Sequence, residues 1–404
     1  MHGKLDVLFS NAGVLDTPGS ILDLNLEHFD RVMGVNVRGA AAFIKHAARA
    51  MVGSGTRGSI VCTTSVTAEI GGQGPHGYTA SKHALLGLIK SACGELGKHG
   101  IRVNGVAPFA VATAMTSRDE ETAKQVEGYC EAVGILKGVA LKPNHVAKAA
   151  LFLASDDSTY ISGASGIGAE SARLFTDHGA KVVIVDIQEE LGQNVAVSIG
   201  KDKASYYKCD ITNETEVENA VKFTVEMHGK LDVLFSNAGV LDTPGSILDL
   251  NLEHFDRVMG VNVRGAAAFI KHAARAMVGS GTRGSIVCTT SVTAEIGGQG
   301  PHGYTASKHA LLGLIKSACG ELGKHGIRVN GVAPFAVATS MTSRDEETAK
   351  QVEGYCEAVG ILKGVALKPN HVAKAALFLA SDDSIYISGH NLVLDGGFSV
   401  VKPL

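Results

Sequence analysis

Tyr304 and Lys308 stand four residues apart in the run Tyr304-Thr305-Ala306-Ser307-Lys308. On a helix that spacing puts both side chains on one face. A phenol loses its proton only at about pH 10, and a neighbouring ammonium favours the phenolate, so such a pair can act as a general base. Ser291 comes 13 residues before Tyr304, at the end of an apolar run. Its hydroxyl could hold a reacting oxygen beside the phenol. Asn262 lies in Val261-Asn262-Val263-Arg264-Gly265, inside a helical stretch where asparagine is a poor helix former. Each feature also has a plain reading. The Tyr–Lys pair could be a surface helix with a snorkelling lysine, and Asn262 could be a core amide bonding its own backbone.

A second set of residues suggests a nucleotide. Gly163-Ala164-Ser165-Gly166-Ile167-Gly168 opens a helix. Glycines there let the backbone approach a pyrophosphate, and the helix N-terminus offers free N–H groups. A tight strand-to-helix turn would look the same. The next apolar run ends at Asp186, 18 residues past Gly168. A carboxylate there can accept hydrogen bonds from both ribose hydroxyls and would repel a 2′-phosphate, which favours NAD over NADP.

These residues sit in a chain that repeats itself. Of its 404 residues, 1–163 recur at 227–389, with two differences: Ala114 against Ser340 and Thr159 against Ile385. The repeat divides the chain into a truncated copy of a catalytic half, 1–163, and a nearly complete domain, 164–404, whose first strand 156–162 could supply. The first copy carries Asn36, Ser65, Tyr78 and Lys82. It has no glycine turn or acidic ribose clamp of its own, so it is expected to be inactive. Along 164–404, apolar strands at 181–186, 205–210, 231–236, 285–290, 328–333 and 392–394 alternate with helical patterns at 166–177, 214–227, 252–277, 304–322 and 370–379. Helical crossovers between successive strands build a parallel sheet covered on both faces, so the expected fold is α/β and doubly wound, Rossmann-type.

Composition narrows the class. With 45% hydrophobic and 19% charged residues, disorder is excluded. A net charge of −3 without a basic stripe argues against nucleic acid. No run of about 20 apolar residues predicts a membrane span, and Met1-His2-Gly3-Lys4 lacks an apolar signal core. Seven cysteines without a Cys-x-x-Cys pair read as reduced thiols in the cytoplasm. The 16 histidines form no ligand pattern, so no metal is expected.

Taken together, the motifs resemble the classical short-chain dehydrogenase/reductase family. Those that carry the resemblance are Ser162 to Gly168, Asp186, Asp210, Ser236-Asn237-Ala238-Gly239, Asn262, Ser291, the Tyr304–Lys308 run, and Pro334 with Thr339. The wording of Tyr304 to Ala310, of Pro334-Phe335 and of Leu392 to Gly397 is most similar to the plant branch, which oxidises secondary alcohols of terpenoids and lignans. The resemblance implies an NAD-dependent oxidoreductase acting on a small apolar alcohol or ketone. Tyr304 would be the base, Ser291 would orient the substrate oxygen, and Lys308 would bind the nicotinamide ribose and favour the phenolate. Asn262 would hold a relay water. The cofactor would lie against Gly163, Ser165, Gly166, Ile167 and Gly168, against Asp186 and Ile187, and against Asp210 and Ile211. Asn237, Ala238 and Gly239 would line its adenosine side, and Pro334, Val337 and Thr339 its carboxamide.

The departures from the family pattern also carry expectations. Ser162 stands where the first motif glycine belongs, and Ser236 where the family has asparagine. Asp156 and Asp157 fall in the first strand, which should be short or frayed, because burying unpaired carboxylates is costly. Phe335 replaces a glycine and should add an apolar wall. The segment 340–368 should cover the pocket, with Met341, Tyr355, Ile361 and Leu362 facing an apolar ligand. The family dimerises through the helices that bear the Asn and the Tyr–Lys pair. The chain should therefore form a homo-oligomer or an intramolecular pseudo-dimer, with 26–51 docked on 252–277. A second reading is a catalytically impaired nucleotide-binding or scaffold protein from a fused gene.

Overall fold

The computed structural model describes residues 3–20, 25–70, 74–155, 166–343 and 345–401. The first copy runs β1 (Val7–Ser10), α1 (Leu26–Met33), α2 (Ala40–Gly53), β2 (Ser59–Thr63), α3 (His76–Leu96), β3 (Arg102–Val106), α4 (Glu120–Val133) and α5 (Pro143–Ala154). The middle segment adds α6 (Ile167–Asp177), β4 (Val182–Asp186), α7 (Glu189–Ile199), β5 (Ala204–Lys208) and α8 (Glu214–His228). The second copy repeats the first as β6 (Val233–Ser236), α9 (Leu252–Met259), α10 (Ala266–Ser280), β7 (Ser285–Thr289), α11 (His302–Leu322), β8 (Arg328–Pro334), α12 (Glu346–Val359) and α13 (Pro369–Ala380). It then adds β9 (Asn391–Leu394).

All paired strands are parallel, in sheets ordered β1-β2-β3, β4-β5 and β6-β7-β8-β9. The fold is α/β and doubly wound, as expected. β7 and β8 are buried along their whole length, which explains their unbroken apolar character. On one face Ala266, Ile270, Ala274 and Met277 of α10 meet Leu311 and Ile315 of α11 over Ile286 and Val329. On the other, Val372, Ala376 and Leu379 of α13 meet Phe175 of α6 over Val287 and Val332. The expected strand at 156–162, with Asp156, Asp157 and Ser162, lies outside the described residues. Among the described residues, β4 and β6 do not pair with each other. Helix α7 had no counterpart in the sequence reading, because Gly192, Asn194, Val195 and Val197 are weak helix formers. Gly192 is there because a Cβ at that position would collide with the Tyr206 ring.

One sequence, present twice, shows what the middle segment does. In the second copy Phe269 packs with Val185, Tyr207 and Ile211, and Leu377, Val233 and Phe235 join the core around Phe175. Their counterparts Phe43, Leu151, Val7 and Phe9 are exposed, Leu151 by 68%. The first copy is thereby left with an apolar edge strand, β1.

The copies meet, but not where expected. Phe152 of α5 stacks on Phe378 of α13, with centroids 4.2 Å apart. The Lys363 N–H donates to Gly97 O at 3.0 Å, and the Lys137 N–H to Gly323 O at 3.0 Å. Arg57 donates to Lys363 O and Arg283 to Lys137 O, each at 3.0 Å. Each contact has its twin with the copies exchanged, so the interface is two-fold and self-complementary. The expectation of 26–51 docking on 252–277 is corrected. The flank of α10 is already taken by α8, whereas α5 and α13 leave a matching apolar ring exposed for each other.

His371 in the first turn of α13 gives this fold an acid limit. Its Nδ1 accepts the Lys368 N–H at 3.1 Å. Burial, with Lys374 and Lys368 nearby, holds its pKa down to about 2 from an ordinary 6.5. Below 6.5 the unfolded chain therefore takes up the proton that the folded chain refuses, and stability falls as pH falls. The urea midpoint should drop between pH 7.5 and pH 5, and by less in His371→Gln.

Candidate active site

Gly166 begins the site. It caps α6 with φ at 77°, a conformation that favours glycine. Two residues on, a Cβ at Gly168 would lie 3.1 Å from Asn237 Nδ2, so the turn and Asn237 need the close approach. Asn237 is held in turn by the Thr289 hydroxyl, which donates to its Oδ1 at 2.8 Å. Asp186 ends β4, and one of its oxygens accepts the Gln188 N–H at 2.8 Å. Asp210 accepts from the Thr212 N–H and hydroxyl at 2.9 and 2.8 Å.

A single cavity is lined by Gly166, Ile167, Gly168, Asp186, Ile187, Asp210, Ile211, Asn237, Ala238 and Gly239. Ser291, Tyr304, Lys308, Pro334, Val337 and Thr339 line the same cavity. Gly163 and Ser165 lie outside the described residues. The donor set fits a dinucleotide: a glycine turn at a helix N-terminus, a strand-end carboxylate, and a buried cation further along. Of the residues expected over the pocket, Met341 and Tyr355 line it, and Phe335 forms a wall stacked on Tyr355, 5.9 Å between centroids. Ile361 and Leu362 do not line it. Leu362 is buried and Ile361 packs on Gly97 of the first copy.

The catalytic candidates converge. The Ser291 hydroxyl hydrogen-bonds the Tyr304 phenol. Lys308 Nζ lies 5.4 Å from the Tyr304 ring centroid and donates to Thr289 O at 2.7 Å. Burial lowers Lys308 to about 8. Burial also raises Tyr304 above the ordinary phenol value, with the Ser291 hydrogen bond pulling the other way. The net direction is therefore up rather than down. Desolvation of the phenolate outweighs a cation that is spent on a carbonyl.

Asn262 lies in a π-helical turn, Gly260–Gly265, between α9 and α10. Its Oδ1 accepts the Val240 N–H at 2.8 Å, and its Nδ2 donates to Val240 O and to Ser307 Oγ at 2.9 and 3.0 Å. Both Nδ2 protons and one lone pair of Oδ1 are thus engaged by protein, which fixes the amide against the Val240 loop and Ser307. Sequence reasoning missed Asp242. Its carboxylate accepts the Gly303 and Tyr304 N–H groups at 2.9 and 3.0 Å, and so caps the helix that carries the base. An aspartate 61 residues upstream carries no local signal. Gln299 was also missed. It accepts the Tyr355 hydroxyl at 3.3 Å at the pocket mouth.

The first copy repeats the constellation. Asn36 bonds Val14 and Ser81, Lys82 donates to Thr63 O at 2.8 Å, and Ser65 hydrogen-bonds Tyr78.

The family model described as "Enoyl-(Acyl carrier protein) reductase" matches residues 1–165 and 163–399. "Short-chain dehydrogenase reductase 3a" of Arabidopsis thaliana is 80% identical over 242 residues, covering 60% of this chain and 94% of that one. The chain belongs to the short-chain dehydrogenase/reductase family. "(+)-borneol dehydrogenase 1" of Salvia officinalis is 49% identical over 242 residues, 60% of this chain and 92% of that one. The crystal structure of levodione reductase superposes with a TM-score of 0.54 at 28% identity, covering 59% of this chain and 95% of that one. As a short-chain dehydrogenase/reductase the protein is an oxidoreductase for which a nicotinamide cofactor is typical. Among the described residues, no helix is long and apolar enough to cross a membrane.

Proposed function

We propose that residues 164–404 form an NAD-dependent dehydrogenase that oxidises a secondary alcohol, terpenoid- or lignan-like, to a ketone. The observation that carries this reading is the placing of Ser291, Tyr304 and Lys308 on the same cavity as Gly166, Gly168 and Asp186. The apolar wall of Phe335, Met341 and Tyr355 and the terpenoid relative support an apolar substrate. Seven free thiols suit a cytoplasmic setting.

NAD, when bound, supplies the hydride acceptor. Gly166, Ile167 and Gly168 would hold its pyrophosphate, Asp186 and Ile187 its adenosine ribose, Asp210 and Ile211 its adenine, and Asn237, Ala238 and Gly239 its adenosine flank. Pro334, Val337 and Thr339 would hold its carboxamide. Ser291 donates to the substrate oxygen and holds it beside Tyr304, whose phenolate removes the hydroxyl proton. Lys308 binds the nicotinamide ribose and places positive charge under the phenol. Asn262 fixes the Val240 loop and Ser307. Asn36, Ser65, Tyr78 and Lys82 are an intact but idle twin, because no described segment covers that face of the first copy.

The test is NADH fluorescence on mixing, followed by turnover on a panel of cyclic secondary alcohols. Binding with turnover supports the proposal. Binding without turnover favours an impaired nucleotide-binding protein, and no binding defeats both. Replacing Asp186 with serine should raise KM for NAD about tenfold, the worth of a charge-assisted hydrogen-bond pair, and improve NADP relative to NAD. Steady-state kinetics with both cofactors checks this.

A further inference from the structure

We infer that the first copy braces the substrate pocket of the second through Arg57 and Gly97. The inference rests on the dehydrogenase reading for its kinetic arm only. Helix α12 brings Tyr355 to the pocket, where its ring stacks on Phe335 and its hydroxyl donates to Gln299. The C-terminal end of that helix is closed by Lys363, whose Nζ donates to Glu357 O and Ala358 O at 3.1 and 2.9 Å. The backbone of Lys363 is held by the other copy. Its N–H donates to Gly97 O at 3.0 Å, and Arg57 donates to Lys363 O and Gly364 O, both at 3.0 Å. One residue therefore ties the pocket helix to the first copy.

The fit at Gly97 is close. A Cβ there would stand 2.7 Å from Ile361 Cγ2 and 2.8 Å from Ile361 O. A second strut runs through the C-terminal turn. Leu362 N–H donates to Gly396 O at 3.0 Å, Gly397 lies against Cys93 of the first copy, and Val401 lies against Gly94. From that turn Phe398 meets Phe335, the pocket wall, at 4.8 Å between centroids. Both struts start on the C-terminal end of α3 or the turn before β2, and both end on aromatic rings of the pocket.

The repeat supplies an internal control. Arg283 makes the twin contact on Lys137, whose Nζ closes α4 of the first copy. Arg57→Ala and Arg283→Ala therefore remove corresponding contacts from one interface, two hydrogen bonds and one, and only the first frees the pocket helix of the second copy.

The experiment compares these two full-length variants by alcohol kinetics and by amide hydrogen exchange. Arg57→Ala should raise KM for the alcohol about fivefold, the usual worth of such hydrogen bonds, with kcat little changed. Arg283→Ala should leave KM unchanged. Peptides running from Ser340 into α12 differ by one oxygen from their twins running from Ala114 into α4, so exchange can be read copy by copy. Arg57→Ala should speed exchange in 346–359, and Arg283→Ala in 120–133. Equal effects of the two variants on both readouts, or none from either, overturn the brace. If exchange splits as described while no alcohol turns over, the brace stands and the dehydrogenase reading falls. Gly97→Ala and Gly323→Ala repeat the comparison with a bulkier perturbation, and a matching asymmetry is expected.

Discussion

Tyr304→Phe should lower alcohol oxidation by about a thousandfold, the usual worth of a positioned general base, while Tyr78→Phe leaves the rate within a factor of two or so of the parent. The ring of Tyr304 packs beside Lys308 and is half-buried, and phenylalanine keeps that packing, so the fold should survive. What is lost is the oxygen that shares a hydrogen bond with Ser291. Tyr78 has the same neighbours, yet Phe43, Phe9 and Leu151 around its copy are exposed where their twins are covered by the cofactor segment. In the parent, burial raises the Tyr304 phenol, so the deprotonated fraction grows with pH and oxidation should quicken through the alkaline range. Tyr304→Phe should abolish that rise. Full activity in Tyr304→Phe would move the chemistry to another group.

The second large effect is on stability. Asn262→Leu should cost about 2 kcal/mol, because it takes a hydrogen bond from three partners, one buried and two part-buried, each bond worth about 0.5–1.5 kcal/mol. These are the Val240 N–H, the Val240 carbonyl and the Ser307 hydroxyl. Asn262 is 1% exposed, so water cannot replace its amide. The urea midpoint for loss of NADH binding should fall accordingly, and activity should fall with the displaced Val240 loop. The twin change Asn36→Leu removes equivalent bonds to Val14 and Ser81 and should spare NADH binding. A midpoint for Asn262→Leu within about 0.5 kcal/mol of the parent, the scale of an ordinary surface change, would show that the amide is dispensable.

Much of this protein was legible in one dimension. The alternation of apolar runs with helical patterns marked six strands of the longer unit, since a strand buried on both faces must be apolar throughout. The Tyr304–Lys308 spacing placed a phenol and a cation on one helix face because helix geometry is local. Gly166, Gly168 and Asp186 were readable because a tight turn and a strand end leave compositional marks. The internal repeat needed no structure at all.

Other features depended on which surfaces meet. Asp242 caps α11 from 61 residues away, which leaves no mark in local propensity; the poor helix propensity of Asn262 marked its position but not its π-turn or its bonds to Val240 and Ser307. The direction of the Tyr304 shift came from burial, which depends on everything packed around the ring. The contact between copies ran through Phe152 and Phe378 rather than the expected helices, because α10 had already given its flank to α8. Local chain geometry determines which residues can form a helix, a strand or a reactive pair. Only the packed molecule decides how far a phenol is dried and which of two identical surfaces is left uncovered.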